Sequence, residues 1–333
     1  MKAKIIILFN HKGGVSKTLT TYNIAWMLAS EKRKKVLLVD CDPQCNLTGL
    51  LLGDDFDNYY ISDSTKNLNI KDATKTAFEG KPQPINAINC VSPQLNTNLF
   101  LIPGHMDLSE YDPQLSFAMN SHNTFTTLQN LPGAFYELIR LCCERYDIDY
   151  VFIDVNPGLS AINQNVFVIS DAFIVPTNPD PFSIMALKTL IKVLPRWKQW
   201  AQQSRNLFSS ASYPLPDTDM KFLGEICQRF TRRKGKPTTS FNTTIQEIAE
   251  YIGGEFIDEL RKHNMLYDSQ EYHLADIPDF GALLQKANKN GIPVYALNNN
   301  QLGSGATLNN IINKRDEIKG IFSTLCDRIL DLV

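Results

Sequence analysis

Short, wholly apolar runs alternate along the chain with longer stretches in which apolar residues recur at three- and four-residue intervals. Ile5-Ile6-Ile7-Leu8-Phe9 predicts a buried strand. A glycine-containing loop follows. Residues 18–30 then read as a helix, with Ile24, Met27 and Leu28 at helical spacing. Val36-Leu37-Leu38-Val39 is a second buried strand. This strand–loop–helix–strand order is the usual start of a parallel α/β sheet. Leu99-Phe100-Leu101-Ile102, Tyr150-Val151-Phe152-Ile153 and Ala172-Phe173-Ile174-Val175 predict further strands. Lys221-Phe222-Leu223-Gly224-Glu225-Ile226 resumes the sheet, and Ile292-Pro293-Val294-Tyr295 reads as a late short strand. Helices are expected at about residues 125–145, 183–200, 244–251 and 306–332. Residues 54–97 are polar and weakly periodic, and read as loops and short helices over one side of the glycine loop. Residues 201–219 are rich in Ser, Gln and Pro and read as a surface loop. No internal repeat and no linker stands out. The expected fold is therefore a doubly wound, mostly parallel α/β sheet with helices on both faces, in one elaborated domain over 1–333.

Composition narrows the function. The chain has 333 residues, 43% hydrophobic and 20% charged, enough for a sizeable core. Lys plus Arg (33) nearly balances Asp plus Glu (35), so any affinity for nucleic acid has to come from a local patch. The seven cysteines are odd in number and show no repeated C-x-x-C spacing, which points to a reduced, cytoplasmic setting. No apolar run approaches the ~20 residues that span a bilayer. Met1-Lys2-Ala3-Lys4 begins like a signal peptide, but the apolar run after it is too short to continue one.

The chemistry sits in the first loop. A phosphate-binding loop needs inward-facing backbone N–H groups, a helix N-terminus behind them, a lysine, and a hydroxyl for magnesium. Lys12-Gly13-Gly14-Val15-Ser16-Lys17-Thr18-Leu19 supplies all of these between a strand and a helix. Gly13 and Gly14 let the backbone approach phosphate, Lys17 can reach the β- and γ-phosphates, and Thr18 is placed to ligate Mg²⁺. His11 and Ser16 stand where the standard loop has glycine, and an additional lysine, Lys12, is present. Asp40 and Asp42 leave the second strand at i and i+2 and so face one crevice. Asp154 ends the strand Tyr150-Val151-Phe152-Ile153, in the position of a carboxylate that holds magnesium's water shell.

The K-G-G-x-x-K-[ST] loop is the deviant Walker A motif, and the sequence resembles the ParA/MinD group of P-loop ATPases, the ParA partition ATPases most of all. The family's D-x-D-P-Q-G-N element matches at Asp40, Asp42, Pro43, Gln44 and Asn46, with Cys45 in place of its glycine. Asp154-Val155-Asn156-Pro157-Gly158 resembles the family's switch region. The resemblance continues in blocks, with residues 54–97, 201–219 and 255–275 as additions or weak matches. It implies a weak Mg²⁺-dependent ATPase that sandwiches ATP between two copies, with Lys12 reaching the partner's phosphates. It further implies hydrolysis linked to Asp42 and a metal supported by Thr18, Asp40 and Asp154. Gln228 stands at the family's adenine-reading position, and Pro278 lies in the segment near the base.

Arg229, Arg232, Arg233, Lys234 and Lys236 form a compact basic run, and charge at this density binds phosphate without sequence selectivity. The resemblance implies non-specific DNA binding by the ATP dimer through this region, with Lys188, Lys192, Arg196 and Lys198 extending the patch. No helix-turn-helix is expected before the first strand. The function implied is positioning of a plasmid, chromosome or phage genome, nucleoid-associated, with hydrolysis stimulated by a ParB-like centromere-binding or adaptor protein. The alternatives are a positioning ATPase for a protein cargo, a MinD-like membrane regulator, and a P-loop metabolic or metal-carrier enzyme. Against the membrane class, the last helix carries Asp316, Glu317, Asp327 and Asp331, and its apolar positions Ile318, Ile321, Phe322, Leu325, Ile329 and Leu330 suit core packing. Cys142-Cys143 falls in a helical pattern and reads as core, and the five histidines form no zinc set.

Overall fold

The computed structural model describes residues 3–120, 126–230, 232–233, 236–237, 239–268, 271–305 and 308–333. Seven parallel strands form its sheet: β1 (Lys4–Leu8), β2 (Val36–Cys41), β3 (Leu99–Ile102), β4 (Tyr150–Val155), β5 (Ala172–Thr177), β6 (Lys221–Phe230) and β9 (His273–Pro278). Their order across the sheet is β3-β2-β4-β1-β5-β6-β9. From β1 the chain therefore winds outward to both sides, which opens a crevice at the carboxyl ends of the central strands. Two short strands, β7 (Arg232–Arg233) and β8 (Lys236–Pro237), pair as a separate antiparallel hairpin.

The helices are α1 (Lys17–Ser30), α2 (Asn46–Leu52), α3 (Phe56–Ile61), α4 (Ile70–Phe78), α5 (Asp112–Asn120), α6 (Leu131–Tyr146), α7 (Ala161–Val168), α8 (Pro181–Leu207), α9 (Thr239–Tyr251), α10 (Ile257–Lys262), α11 (Ala282–Asn290), α12 (Asn299–Leu302) and α13 (Leu308–Leu332). Alternation along β1 explains why they lie on both faces. Ile5 and Ile7 enter one core with residues of α4–α8, while Ile6 and Leu8 enter the other with α1, α11 and α13. In α13, Ile318, Phe322, Leu325, Cys326 and Ile329 are fully buried, which is the packing role expected of that helix. Among the described residues, no helix is long and apolar enough to cross a membrane.

The parallel sheet is the one expected, and the structure departs from the sequence reading in three places. Residues 294–296, which overlap the end of the expected late strand, form a 3₁₀ turn (Val294–Ala296). The segment buries Val294 and Tyr295 against α13 without entering the sheet, so its apolar content reports burial rather than extension. The true last strand, β9, lies partly in the 255–275 stretch that reads as an addition. The helix expected at 183–200 continues through Pro195 to Leu207, taking in the start of the expected loop.

A candidate nucleotide site at the carboxyl edge

The first loop joins β1 to α1 and is held from below. Asn10 is fully buried: its Nδ2 donates to the Pro176 carbonyl of β5 (2.9 Å), and its Oδ1 accepts from the Lys12 N–H (3.0 Å). Gly14 takes φ +75°, a left-handed conformation that favours glycine. Ser16, at φ 54°, caps α1 in the same region without a side-chain hydrogen bond. Lys17 is buried and donates from Nζ to the carbonyls of Asn10 (3.0 Å) and Lys12 (3.3 Å). Burial pulls its pKa down, opposed by the charges of Asp154 and Asp42.

Lys12 points elsewhere. Its ammonium forms an ion pair with Asp180 and donates to Ser183 Oγ (3.2 Å). Asp180 caps α8, accepting the Ser183 N–H at Oδ1 (3.1 Å) and leaving Oδ2 for Lys12. Asn178 adds a bond from Nδ2 to the Gly14 carbonyl (3.1 Å), so the β5–α8 connection grips the loop at two points.

The three aspartates separate into different roles. Asp40 and Asp154 are cross-strand neighbours on β2 and β4. Asp154 is completely buried, and among the described residues neither of its oxygens has a hydrogen-bond partner. Burial, reinforced by the nearby Asp40, pushes its carboxyl up to about 8. The Thr18 hydroxyl stands near enough to pull the other way without making a hydrogen bond of ordinary geometry. A buried carboxylate with two orphaned oxygens beside a hydroxyl calls for a cation, and an all-oxygen set suits Mg²⁺. Asp40 does not share that need. Its Oδ1 accepts the Asp42 N–H (3.1 Å), and its Oδ2 accepts both the N–H (2.9 Å) and the hydroxyl (2.7 Å) of Thr48. Asp40, expected to support the metal, braces the β2–α2 turn and acts on Asp154 through its charge. Asp42 is buried at the rim, with Oδ1 accepting the Gln44 N–H (2.9 Å), and burial raises its pKa.

A cavity of about 420 Å³ opens over the loop. Residues 14–19 of the loop line it together with Asp42, Asn46, Leu50, Val155, Pro157, Arg229, Leu284 and Asn288. Leu284 and Asn288 come from α11, which carries no motif and reaches the cavity only through its packing into the core it shares with α1 and α13. A concavity of similar size at the other edge of the sheet, lined by Ile139, Arg140 and Cys143, contains none of the motif residues.

Several candidates occupy unexpected places. Gln228 is buried beneath the loop: its Oε1 accepts from Thr20 (2.6 Å) and its Nε2 donates to the Val15 carbonyl (3.2 Å). It therefore fixes the loop to β6, and its carboxamide is already committed. Pro278 is buried at the end of β9, outside the cavity lining. Arg229 turns from the basic run into the cavity and donates to the Gly14 carbonyl (3.0 Å). The backbones of Arg232, Arg233 and Lys236 form the β7–β8 hairpin, while Lys234 lies outside the described residues. Lys198 is buried and donates to the carbonyls of Asp219 (2.9 Å) and Asn264 (2.8 Å), which removes it from any surface patch.

Residues 3–206 match the family model AAA_31, described as an AAA domain, over more than half of the chain. The chain belongs to this family and is of the ParA type. It is 30% identical over 192 residues to the virulence plasmid ParA family protein pGP5-D of Chlamydia psittaci, covering 56% of this chain and 61% of that one. The match thus spans less than two thirds of that relative's length. Identity to the chromosome partitioning protein ParA of Myxococcus xanthus is 25% over 280 residues, covering 84% of this chain and 79% of that one. A McdA–ATP complex from Cyanothece superposes with a TM-score of 0.64 at 18% identity, covering 98% of this chain and 96% of that one, a likeness of fold.

Proposed function

We propose that this ParA-type chain is a Mg²⁺-dependent ATPase that switches between a monomer and an ATP-bound dimer able to hold DNA without sequence preference. The observation that carries the reading is the orphaned carboxylate of Asp154 beside Thr18 and Lys17, beneath a loop that has a second lysine to spare. Thr18 and Asp154 would hold the metal, which would neutralise the developing charge of phosphoryl transfer. Gly13, Gly14, Val15 and Ser16 offer backbone to the phosphates, and Lys17 binds them from within the same chain. Asp42, buried at the rim, would orient the attacking water. Leu19, Leu284 and Asn288 suit the base end of the cavity.

Lys12 is the residue left for a partner's nucleotide. In the monomer Asp180 and Ser183 hold it at the rim. That rim carries exposed apolar side chains, Phe182 at 67% and Met185 at 63%, which a second copy would cover. Polyanion binding by the dimer and stimulation by a ParB-like partner complete the cycle, whose outcome is the positioning of a DNA molecule.

Titration with ATP in the presence and absence of Mg²⁺ tests the site. Wild type should bind more tightly with the metal, and Asp154→Asn should lose that difference. Equal affinity of wild type with and without Mg²⁺ would refute the metal assignment. Retention on DNA that does not depend on ATP would refute the switch.

A further inference from the structure

We propose that Asn163 is a positioning residue of the nucleotide site, holding residues 156–158 so that Val155 and Pro157 wall the phosphate side of the cavity. This role rests on the function proposed above and falls to a residue outside the motifs read from the sequence. Residues 156–158 follow β4, whose end carries Asp154, and belong to neither helix nor strand. Pro157 lines the cavity and lies against the phosphate loop: a Cβ placed on Gly13 would sit 3.8 Å from its Cβ and Cγ. Gly158 takes φ +127°, a conformation that residues with a side chain rarely adopt.

A stretch of this kind keeps its place through what grips it. The Asn163 side chain spans it, with Nδ2 donating to the carbonyls of Asn156 (3.0 Å) and Gly158 (3.1 Å), one on each side of Pro157. Among the described residues, no other side chain hydrogen-bonds to residues 156–158. Asn163 itself is firmly seated. It is fully buried in the first turn of α7, where Ser160 Oγ accepts its N–H (3.1 Å). The neighbouring Ile162 N–H goes to Asp112 Oδ1 at the start of α5 (2.9 Å), and Asn165 Nδ2 donates to the Pro132 carbonyl of α6 (2.8 Å). Ile162, Val166 and Phe167 bury the helix in the core below. The helix is therefore the fixed end of the link, and residues 156–158 are the end that faces the nucleotide.

Hydrogen-bond chemistry explains why the residue is an amide. Both partners are carbonyl oxygens, so the position calls for two donors on a group with no charge to bury. Among the described residues Asn163 Oδ1 has no partner, and turning the amide over would set that oxygen against the two carbonyls. Asn165 offers a matched comparison on the same helix. It too is fully buried, donates from Nδ2 to a backbone carbonyl and leaves Oδ1 without a partner among the described residues. Its bond leads to α6, however, and away from the nucleotide. Loss of either side chain weakens the seat of α7, and only loss of Asn163 releases Pro157.

The test measures the affinity of the full chain for a non-hydrolysable ATP analogue with Mg²⁺ by calorimetry, beside the melting temperature. Asn163→Ala and Asn165→Ala should both melt at lower temperature. Only Asn163→Ala should bind the analogue more weakly, by about fivefold, because residues 156–158 then leave the loop part of the time and only the competent fraction binds. Asn163→Asp has the same shape and keeps the test if the alanine variant folds poorly. Its carboxylate has no donor for the two carbonyls, so at about pH 8 it should bind as weakly as Asn163→Ala. Towards about pH 5 the buried carboxyl regains a proton and one donor, and its affinity relative to wild type should recover, whereas that of Asn163→Ala should not. Equal loss of affinity in both alanine variants, or none in Asn163→Ala, would overturn the positioning role and leave the nucleotide site standing. So would an Asn163→Asp protein whose affinity relative to wild type ignores pH. Failure of wild type to bind the analogue would overturn both.

Discussion

Replacing Asp180 with Asn isolates the cost of freeing Lys12. The carboxylate has two tasks, and asparagine keeps one of them: its side-chain oxygen can still accept the Ser183 N–H and cap α8. What it loses is the charge facing Lys12. The pair is partly exposed, at 18% for Lys12 and 34% for Asp180, so screening limits it to about 1 kcal/mol. Each ATP-bound dimer breaks two such pairs if both lysines cross to the partner. The monomer is then favoured by about 2 kcal/mol, roughly 30-fold in the dimer dissociation constant. Asp180→Asn should therefore dimerise at about 30-fold lower protein concentration. Sedimentation velocity with a non-hydrolysable ATP analogue measures this directly, and Lys12→Gln serves as the control that should not dimerise. Unchanged or weaker self-association by a folded Asp180→Asn protein would refute the argument, because the pair would then not compete with the dimer.

The remaining predictions concern charge and backbone. The raised pKa of Asp154 favours the folded state below the ordinary carboxylate range, and this contribution is lost as pH rises through about 8. Nucleotide-free wild type should therefore melt at lower temperature at alkaline pH, and Asp154→Asn should flatten that profile, as calorimetry would show. His273 is held protonated, up to about 10, by the carboxylates of Asp276 and Glu225. Its contribution is complete below its ordinary pKa and lost as pH rises through about 10. His273→Gln should cost about 1 kcal/mol near neutrality, because solvent screens a ring that is about a third exposed, with a gap to wild type that narrows at alkaline pH in denaturant titrations. Cys45 sits at φ 52° with its side chain buried. Cys45→Gly relieves that strain but frees the unfolded chain, for a net gain of about 0.5 kcal/mol in chemical denaturation. A loss of stability would mean that the thiol's packing outweighs the strain.

The parts of the site legible in the sequence are those in which neighbouring residues act together. The glycines, Lys17 and Thr18 lie within one turn of chain, and a strand before and a helix after suffice to aim them. Asp154 was legible for the same reason, as the carboxylate at the end of an apolar strand. Residues whose role depends on which contacts form on folding were not. Asp40 fits the motif as well as Asp154 does, but its oxygens accept from Thr48 and the Asp42 backbone while those of Asp154 stay unpaired among the described residues. Gln228 and Arg229 are adjacent in sequence, yet one lies buried under the loop and the other enters the cavity. A left-handed turn at Arg229, φ 58°, separates them. Lys198 resembles its neighbours on α8 in composition, and only the packing of that helix turns it inward.

The sequence by itself determined a parallel α/β sheet and a phosphate loop at the end of its first strand. Both follow from local periodicity and from residues close together in the chain. The tertiary structure decided which aspartate is left without partners, where Lys12 rests, and which face of α8 meets solvent. Lys12 and Asp180, for example, lie more than a hundred residues apart and are brought together by the order of strands across the sheet.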